Sequence, residues 1–234
     1  MNSATRKSFF VTGTDTDAGK TVACCALLRA AAAAGLSAIG MKPLAAGGAQ
    51  TPDGLRNDDA LQLQAASTLT LSYDEVNPVC LPEPASPHIA AELAQRKIRV
   101  ERLAGFCHGV LSLRANLTLL EGAGGWRVPI NEREFMSDLA KQLQLPVIVV
   151  VGMRLGCLNH ALLTGEAITR DGLRLAGWIA NRVDPQMAHY ERNRDTLLEW
   201  FPVPLLGEIP YLDKSGLNAA AAAGAMRLDQ LMQA

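Results

Sequence analysis

Residues Phe9 to Thr21 read FFVTGTDTDAGKT, an apolar run that breaks into a loop ending Gly-Lys-Thr. That order of residue types suits the binding of a phosphate chain. Gly13 and Gly19 let the backbone turn tightly enough for successive N–H groups to face phosphate oxygens. Lys20 adds a positive charge for the β- and γ-phosphates, and the Thr21 hydroxyl can join the coordination shell of Mg²⁺. A helix starting near Lys20 would aim its positive dipole end at the same anion. Five residues, rather than the usual four, separate Gly13 from Gly19. A glycine-rich strand-to-helix turn that binds nothing is the competing reading.

Further polar groups follow apolar runs elsewhere in the chain. Glu121 comes directly after the run Asn116–Leu120 and opens Glu-Gly-Ala-Gly-Gly, where a carboxylate suits Mg²⁺ and the glycines allow close backbone approach. A loop glutamate beside a tight turn would look similar. Lys42 also follows a strand and could steady a carbamate or a transferring phosphoryl group, although a surface lysine is an equal alternative. Asp58 and Asp59 sit at the start of a helix expected over Asp59–Ala66, so at least one of them reads as a capping acid. Asn181 offers both a donor and an acceptor for a purine edge, or forms a turn. His88 could serve as a general base, but it has no serine or cysteine triad to join and reads as a loop or capping residue.

These residues need a frame to bring them together. Strands are expected over Ser8–Thr12, Ser37–Met41, Asn116–Leu120, Val147–Val151 and Leu175–Ala180, with helices over Thr21–Ala34 and Leu158–Arg170. Continuous apolar strands alternating with helices indicate an α/β fold of three layers: a mostly parallel sheet with helices on both faces, like that of P-loop NTPases. Such sheets bind ligands beyond the carboxyl ends of their strands. The loops Gly13–Thr21, Lys42–Asp59, Glu121–Pro129, Gly152–Asn159 and Asn181–Pro185 should therefore line one crevice. Asn77–Pro87 reads as a proline-rich loop that could fold over the site or lie at an interface.

The 234 residues fit a single domain over 1–234, with the alanine-rich end near 218–234 expected to be poorly ordered. Hydrophobic residues form 49% and charged residues 19%, a globular balance, and a net charge of −1 gives no footprint for nucleic acid or a membrane surface. No apolar run approaches the ~20 residues of a membrane span, and the first residues lack a signal-peptide core, so the chain is expected to be cytoplasmic. Five scattered cysteines read as free core thiols.

Taken together and in order, the segments VTGTDTDAGKT, GMKPLAAG, GLRNDDAL, VNPVCLPEPASPHIAA, LLEGAGGWRVPI, LPVIVVVGMRLGCLNHALLT, LAGWIANRV and PLLGEIPYL resemble the dethiobiotin synthetases, from Phe9 to about Leu212. The five-residue spacing in the phosphate loop is the form that family uses. The resemblance implies a ligase that carboxylates and cyclises 7,8-diaminopelargonic acid with CO₂, using ATP and Mg²⁺, by way of a carbamate and a carbamic-phosphoric mixed anhydride. It implies that Asp17, Ala18, Gly19, Lys20 and Thr21 bind the ATP phosphates, and that Thr21, Asp59 and Glu121 hold the metal. Lys42 becomes the catalytic lysine, assisted by Lys20. Glu121, Gly122, Ala123 and Gly124 would border the nucleotide, while Asn181, Arg182, Pro210, Tyr211 and Leu212 would hold the base. The substrate would lie at a homodimer interface, between Ala46, Ser86, Pro87, His88 and Gly124 of one subunit and Gly156, Cys157 and Asn159 of the other.

Three positions depart from the family pattern. Ala46 replaces a frequent serine, which removes one hydroxyl contact. Arg182 stands where a related form has an acid, which loosens the expected base selectivity. Tyr190 is the nearest candidate for a tyrosine expected from the partner subunit close to residue 193. An alternative of a different class is a P-loop ATPase switch of the partitioning or metal-insertion type. Those proteins usually carry a second lysine near the loop's start, where this chain has Gly13 and Thr14.

Overall fold

A computed structural model describes residues 6–212 and 222–233. Its centre is β1 (Lys7–Gly13), whose last five residues are buried because strands flank it on both sides and helices cover both faces. On one side lie β7 (Leu117–Glu121) and β2 (Ala38–Met41). On the other lie β8 (Val147–Met153), β9 (Leu175–Arg182) and β10 (Leu205–Ile209), giving the order β10-β9-β8-β1-β7-β2. Every pairing in this sheet is parallel. The strands therefore discharge their loops along one edge, where five of those loops meet.

The helices follow from the connections. α1 (Lys20–Ala33) leads from β1 to β2 and ends at Gly35, whose φ of 72° supplies the left-handed stop expected there. α2 (Asp58–Ala66) packs on α1 and β2. α5 (Val100–Leu111), α6 (Met136–Leu143), α7 (Cys157–Arg170) and α8 (Tyr190–Trp200) provide the crossovers into β7, β8, β9 and β10. α5 packs on α6, and α7 on α8. The short α3 (Tyr73–Val76) and α4 (Pro87–Leu93) lie between β2 and α5, and α9 (Leu228–Gln233) packs on β10 and α1.

Several expectations are revised. The stretch Lys42–Asp59 is not simply a loop. It forms β3 (Leu44–Ala46), and β4 (Ala49–Thr51) pairs with β5 (Gly54–Arg56) as a small hairpin. Within Asn77–Pro87, β6 (Val79–Leu81) pairs in parallel with β3. Three-residue strands carry too little periodicity to register in a sequence and form here because backbone partners are at hand. β9 runs two residues further than expected, to Arg182, which brings Asn181 inside the strand. Part of the expected poorly ordered end lies outside the described residues, and its described part contains α9. All five cysteines are free and buried, and burial raises the thiols of Cys25 and Cys107 to about 12.

Candidate active site

Lys42 follows β2 and is fixed through its backbone. Its N–H donates to Val76 O at 2.8 Å, and Asn77 Nδ2 donates to its carbonyl at 2.6 Å. The side chain, only 7% exposed, reaches Asp59 Oδ2 at 2.5 Å and Glu121 Oε1 at 2.7 Å. Glu121, the last residue of β7, is completely buried and also accepts from Thr21 Oγ1 at 2.9 Å. Its second oxygen, Oε2, has no hydrogen-bond partner among the described residues. The capping expectation at α2 is corrected. Asn57 caps the helix by accepting from Ala60 N, Asp58 is exposed, and Asp59 turns inward to Lys42.

Burial alone would depress the Lys42 ammonium, but Glu121 and Asp59 outweigh it and raise its pKa above the usual lysine value of 10.5. Burial would likewise raise Asp59, yet Lys42 holds that carboxyl below 3.8. The raised lysine contributes stability below its free value, and this is lost only as pH rises through the raised one. The depressed carboxylate contributes above its free value, and this is lost as pH falls through the lowered one. The pair therefore stays ionised across neutral pH. Lys20 differs, because burial is the dominant influence and lowers it. Its Nζ donates to the Asp15 carbonyl at 3.3 Å.

Gly19 adopts φ 85°, ψ 33° as the residue before α1. A Cβ there would collide with the Asn181 amide, whose Nδ2 donates to Ala18 O at 2.9 Å. Gly19→Ala should therefore cost about 1–2 kcal/mol for the left-handed backbone alone. It should also displace Asn181 from the loop, giving a lower Tm and a weaker ATP response in a thermal-shift titration.

One cleft of about 1260 Å³ gathers the five strand-end loops. Asp17, Gly19, Lys20 and Thr21 line it with Lys42, Asp59, Glu121, Ala123 and Gly124, while Asn181, Arg182, Tyr211 and Leu212 line a further wall. Ala46, Ser86 and Pro87 border it as well, and Ser86 Oγ lies 3.0 Å from His88 Nδ1. Ala18 is buried beneath the loop, and Gly122 packs over Phe10, so neither lines the cleft. Neither does Pro210, which is exposed beside Tyr211.

Gly156, Cys157 and Asn159 lie at the start of α7 and do not line the cleft of their own chain. Gly156 and Asn159 are exposed, and Cys157 is fully buried. Tyr190 is placed away from the cleft, 8% exposed, with its hydroxyl donating to Glu208 Oε2 at 3.1 Å and its ring under the Arg182 guanidinium at 5.2 Å. That guanidinium also donates to the carbonyls of Asp184 and Pro185. Gln62 lines the cleft although the sequence does not single it out, and Arg154, within the Gly152–Asn159 loop expected to line it, pairs with Asp15 of the phosphate loop at 2.6 Å. Nothing in the local spelling marks either residue, since their role depends on which strands are neighbours.

Among the described residues, no group of three or more His, Cys, Asp and Glu is placed to hold a metal alone. The donors around Glu121 are two carboxylates and a hydroxyl. That sparse, all-oxygen set fits Mg²⁺, which keeps waters and takes phosphate oxygens, and the unpartnered Glu121 Oε2 gives such an ion a ligand.

A parallel sheet in this strand order, with a glycine-lysine-threonine turn opening the first helix and a lysine–carboxylate cluster beside it, defines a P-loop α/β protein built for phosphoryl transfer. The fold resembles MinD from Aquifex aeolicus, with a TM-score of 0.58 at 14% identity over 97% of this chain and 95% of that one. It also resembles the signal recognition particle receptor FtsY from Elizabethkingia anophelis, at 0.51 and 16%, over 99% and 68%. A family model described as "AAA domain" matches residues 7–218. The ATP-dependent dethiobiotin synthetase BioD of Cellvibrio japonicus is 54% identical over 93% of this chain and 95% of its own length. The protein of that name from Vibrio vulnificus is 51% identical over 88% and 90%. The chain belongs to the ATP-dependent dethiobiotin synthetase family.

Proposed function

We propose that this chain converts 7,8-diaminopelargonic acid, CO₂ and ATP to dethiobiotin, ADP and phosphate in a Mg²⁺-dependent reaction. The observation that carries this reading is the convergence of Lys42, Asp59, Glu121 and Thr21 beside the phosphate loop. Among the described residues no side chain there is placed as a nucleophile, and this chemistry needs none: one substrate amine takes up CO₂ to form a carbamate with loss of a proton, and the carbamate oxygen attacks the γ-phosphorus, breaking its bond to the β-phosphate oxygen and releasing ADP. The second amine then attacks the carbamoyl carbon, closing the ring and expelling phosphate. The phosphate loop orients the triphosphate, and Lys20 and Lys42 neutralise charge that develops during transfer. Thr21, Asp59 and Glu121 would hold Mg²⁺, which supplies Lewis-acid stabilisation of the phosphoryl oxygens. Asn181, Arg182, Pro210, Tyr211 and Leu212 would hold the base.

The diamine would lie near Ser86–His88 and Gly124, with its carboxylate tail on the start of α7 in a second subunit. Exposure of Gly156 and Asn159 outside their own cleft supports this, as does Leu155, which is 93% exposed beside them. Leu155→Asp should shift the protein from dimer to monomer by analytical ultracentrifugation and raise the KM for the diamine by about tenfold or more. A dimer with unchanged KM would remove α7 from the interface. Tyr190, tied to Glu208 and Arg182 of its own chain, supports the base wall rather than a partner's substrate. Each subunit would contribute a single domain to this shared site, and a reaction drawing on ATP and bicarbonate fits a cytoplasmic enzyme. Among the described residues no helix is long and apolar enough to cross a membrane.

The test is ADP release measured with diaminopelargonic acid, bicarbonate and Mg²⁺, omitting each in turn and repeated with CTP and GTP. Release should require all three. Release that ignores the diamine but rises with a protein partner would favour the ATPase-switch alternative, to which the MinD likeness adds only the fold.

A further inference from the structure

Asp171 caps the C-terminal end of α7, where the helix dipole disfavours an anion. Three donors make up for that placement. Trp126 Nε1 donates to Oδ2 at 2.8 Å, and Arg127 engages both oxygens at 2.8 and 2.7 Å in a bidentate pair. The carboxyl side chain is only 10% exposed; burial would raise its pKa, but the bonds from Arg127 and Trp126 hold it below the usual range. Arg127 also donates to the buried Ser137 hydroxyl at the start of α6, at 3.1 Å. Trp126, 4% exposed, meets Phe10 of β1 edge to face at 6.1 Å.

These contacts pin a segment that cannot hold itself. Gly122 donates its N–H to Val11 O at 2.9 Å and lies so close over Phe10 that a Cβ would stand 3.0 Å from the ring. Gly124 turns with φ 61°. Between the Phe10 contact and the Trp126–Arg127 anchor, Gly122–Gly125 has one methyl group and no polar side chain. Ala123 and Gly124 nevertheless line the cleft, while Trp126, Arg127 and Asp171 do not.

We infer that Asp171, acting through Trp126 and Arg127, is a positioning residue that fixes the Gly122–Gly125 wall of the phosphoryl-transfer cleft. Its effect on turnover rests on the proposed function, but its effect on the wall does not. Two readouts separate these claims: steady-state kinetics, and hydrogen exchange of the amides from Gly122 to Val128. In Asp171→Ala those amides should exchange about tenfold faster, with β1 and β8 unchanged. kcat should fall about tenfold, with the KM for ATP within about twofold. Asp171→Asn keeps one acceptor oxygen but turns an N–H donor toward Arg127 or Trp126, so both readouts should still change, by about threefold. Arg127→Ala combined with Asp171→Ala should cost clearly less than the sum of the two, since the bidentate pair is lost in each.

A lower Tm with exchange and kcat both unchanged would overturn the inference and leave the cluster purely structural. If Asp171→Ala does not fold, Asp171→Asn decides by the same two readouts, with normal exchange and normal kcat as the contrary result. If the wild-type protein does not turn over the diamine, the proposed function fails while exchange alone still decides whether Asp171 positions the wall.

Discussion

Lys42→Ala should lose about 10²–10³ in kcat, the usual cost of removing one preorganised charge from a transition state, while ATP·Mg²⁺ affinity changes by about threefold or less. The split follows from where the ammonium sits. It touches Asp59 and Glu121 and is positioned by Asn77 and Val76, whereas the phosphate loop has its own cation in Lys20. The same substitution should destabilise the apo protein, because Glu121 is fully buried and would lose its counter-charge. Breaking a buried pair in this way costs about 3–5 kcal/mol, and Mg²⁺ should restore part of it by replacing the missing positive charge. Calorimetric titration, stopped-flow turnover and thermal melts with and without Mg²⁺ measure the three parts. Normal turnover would remove Lys42 from catalysis, and unchanged apo stability would contradict the burial argument.

Glu121→Gln should separate the metal from the lysine. Glutamine keeps an oxygen to accept from Lys42 and Thr21 but removes the negative charge and replaces the unpartnered Oε2 with a donor. The Mg²⁺ concentration for half-maximal rate should rise about tenfold or more, with kcat/KM falling on the order of 10²-fold. The thermal shift induced by ATP·Mg²⁺ should shrink, because binding to the native state is what produces it. Lys42 keeps Asp59, so the fold should persist. A variant with unaltered Mg²⁺ dependence would take Glu121 out of the metal set.

Much of this fold and site is legible in the amino-acid sequence. The apolar runs ending at Thr12, Met41, Leu120, Val151 and Ala180 announce buried parallel strands, and the rule that ligands gather at their carboxyl ends groups loops more than a hundred residues apart. What stayed hidden depended on neighbours. Spelling alone could not decide between Asp58 and Asp59, because the choice turns on which carboxylate faces Lys42 once Asn57 has capped α2. The β3–β6 pair is too short to have a period. Arg154 reaches Asp15 only because β8 lies beside β1, and Tyr190 turns to Glu208 because α8 lies over β10. Asp171 sits 44 residues from Arg127, a separation without any local signal.

The most direct test of the proposed activity is mass spectrometry of the product formed with ¹³C-bicarbonate, alongside quantified ADP. One molecule of dethiobiotin carrying a single ¹³C should form for each ADP released, and neither should appear without the diamine. ADP released at the same rate with no labelled product would contradict it.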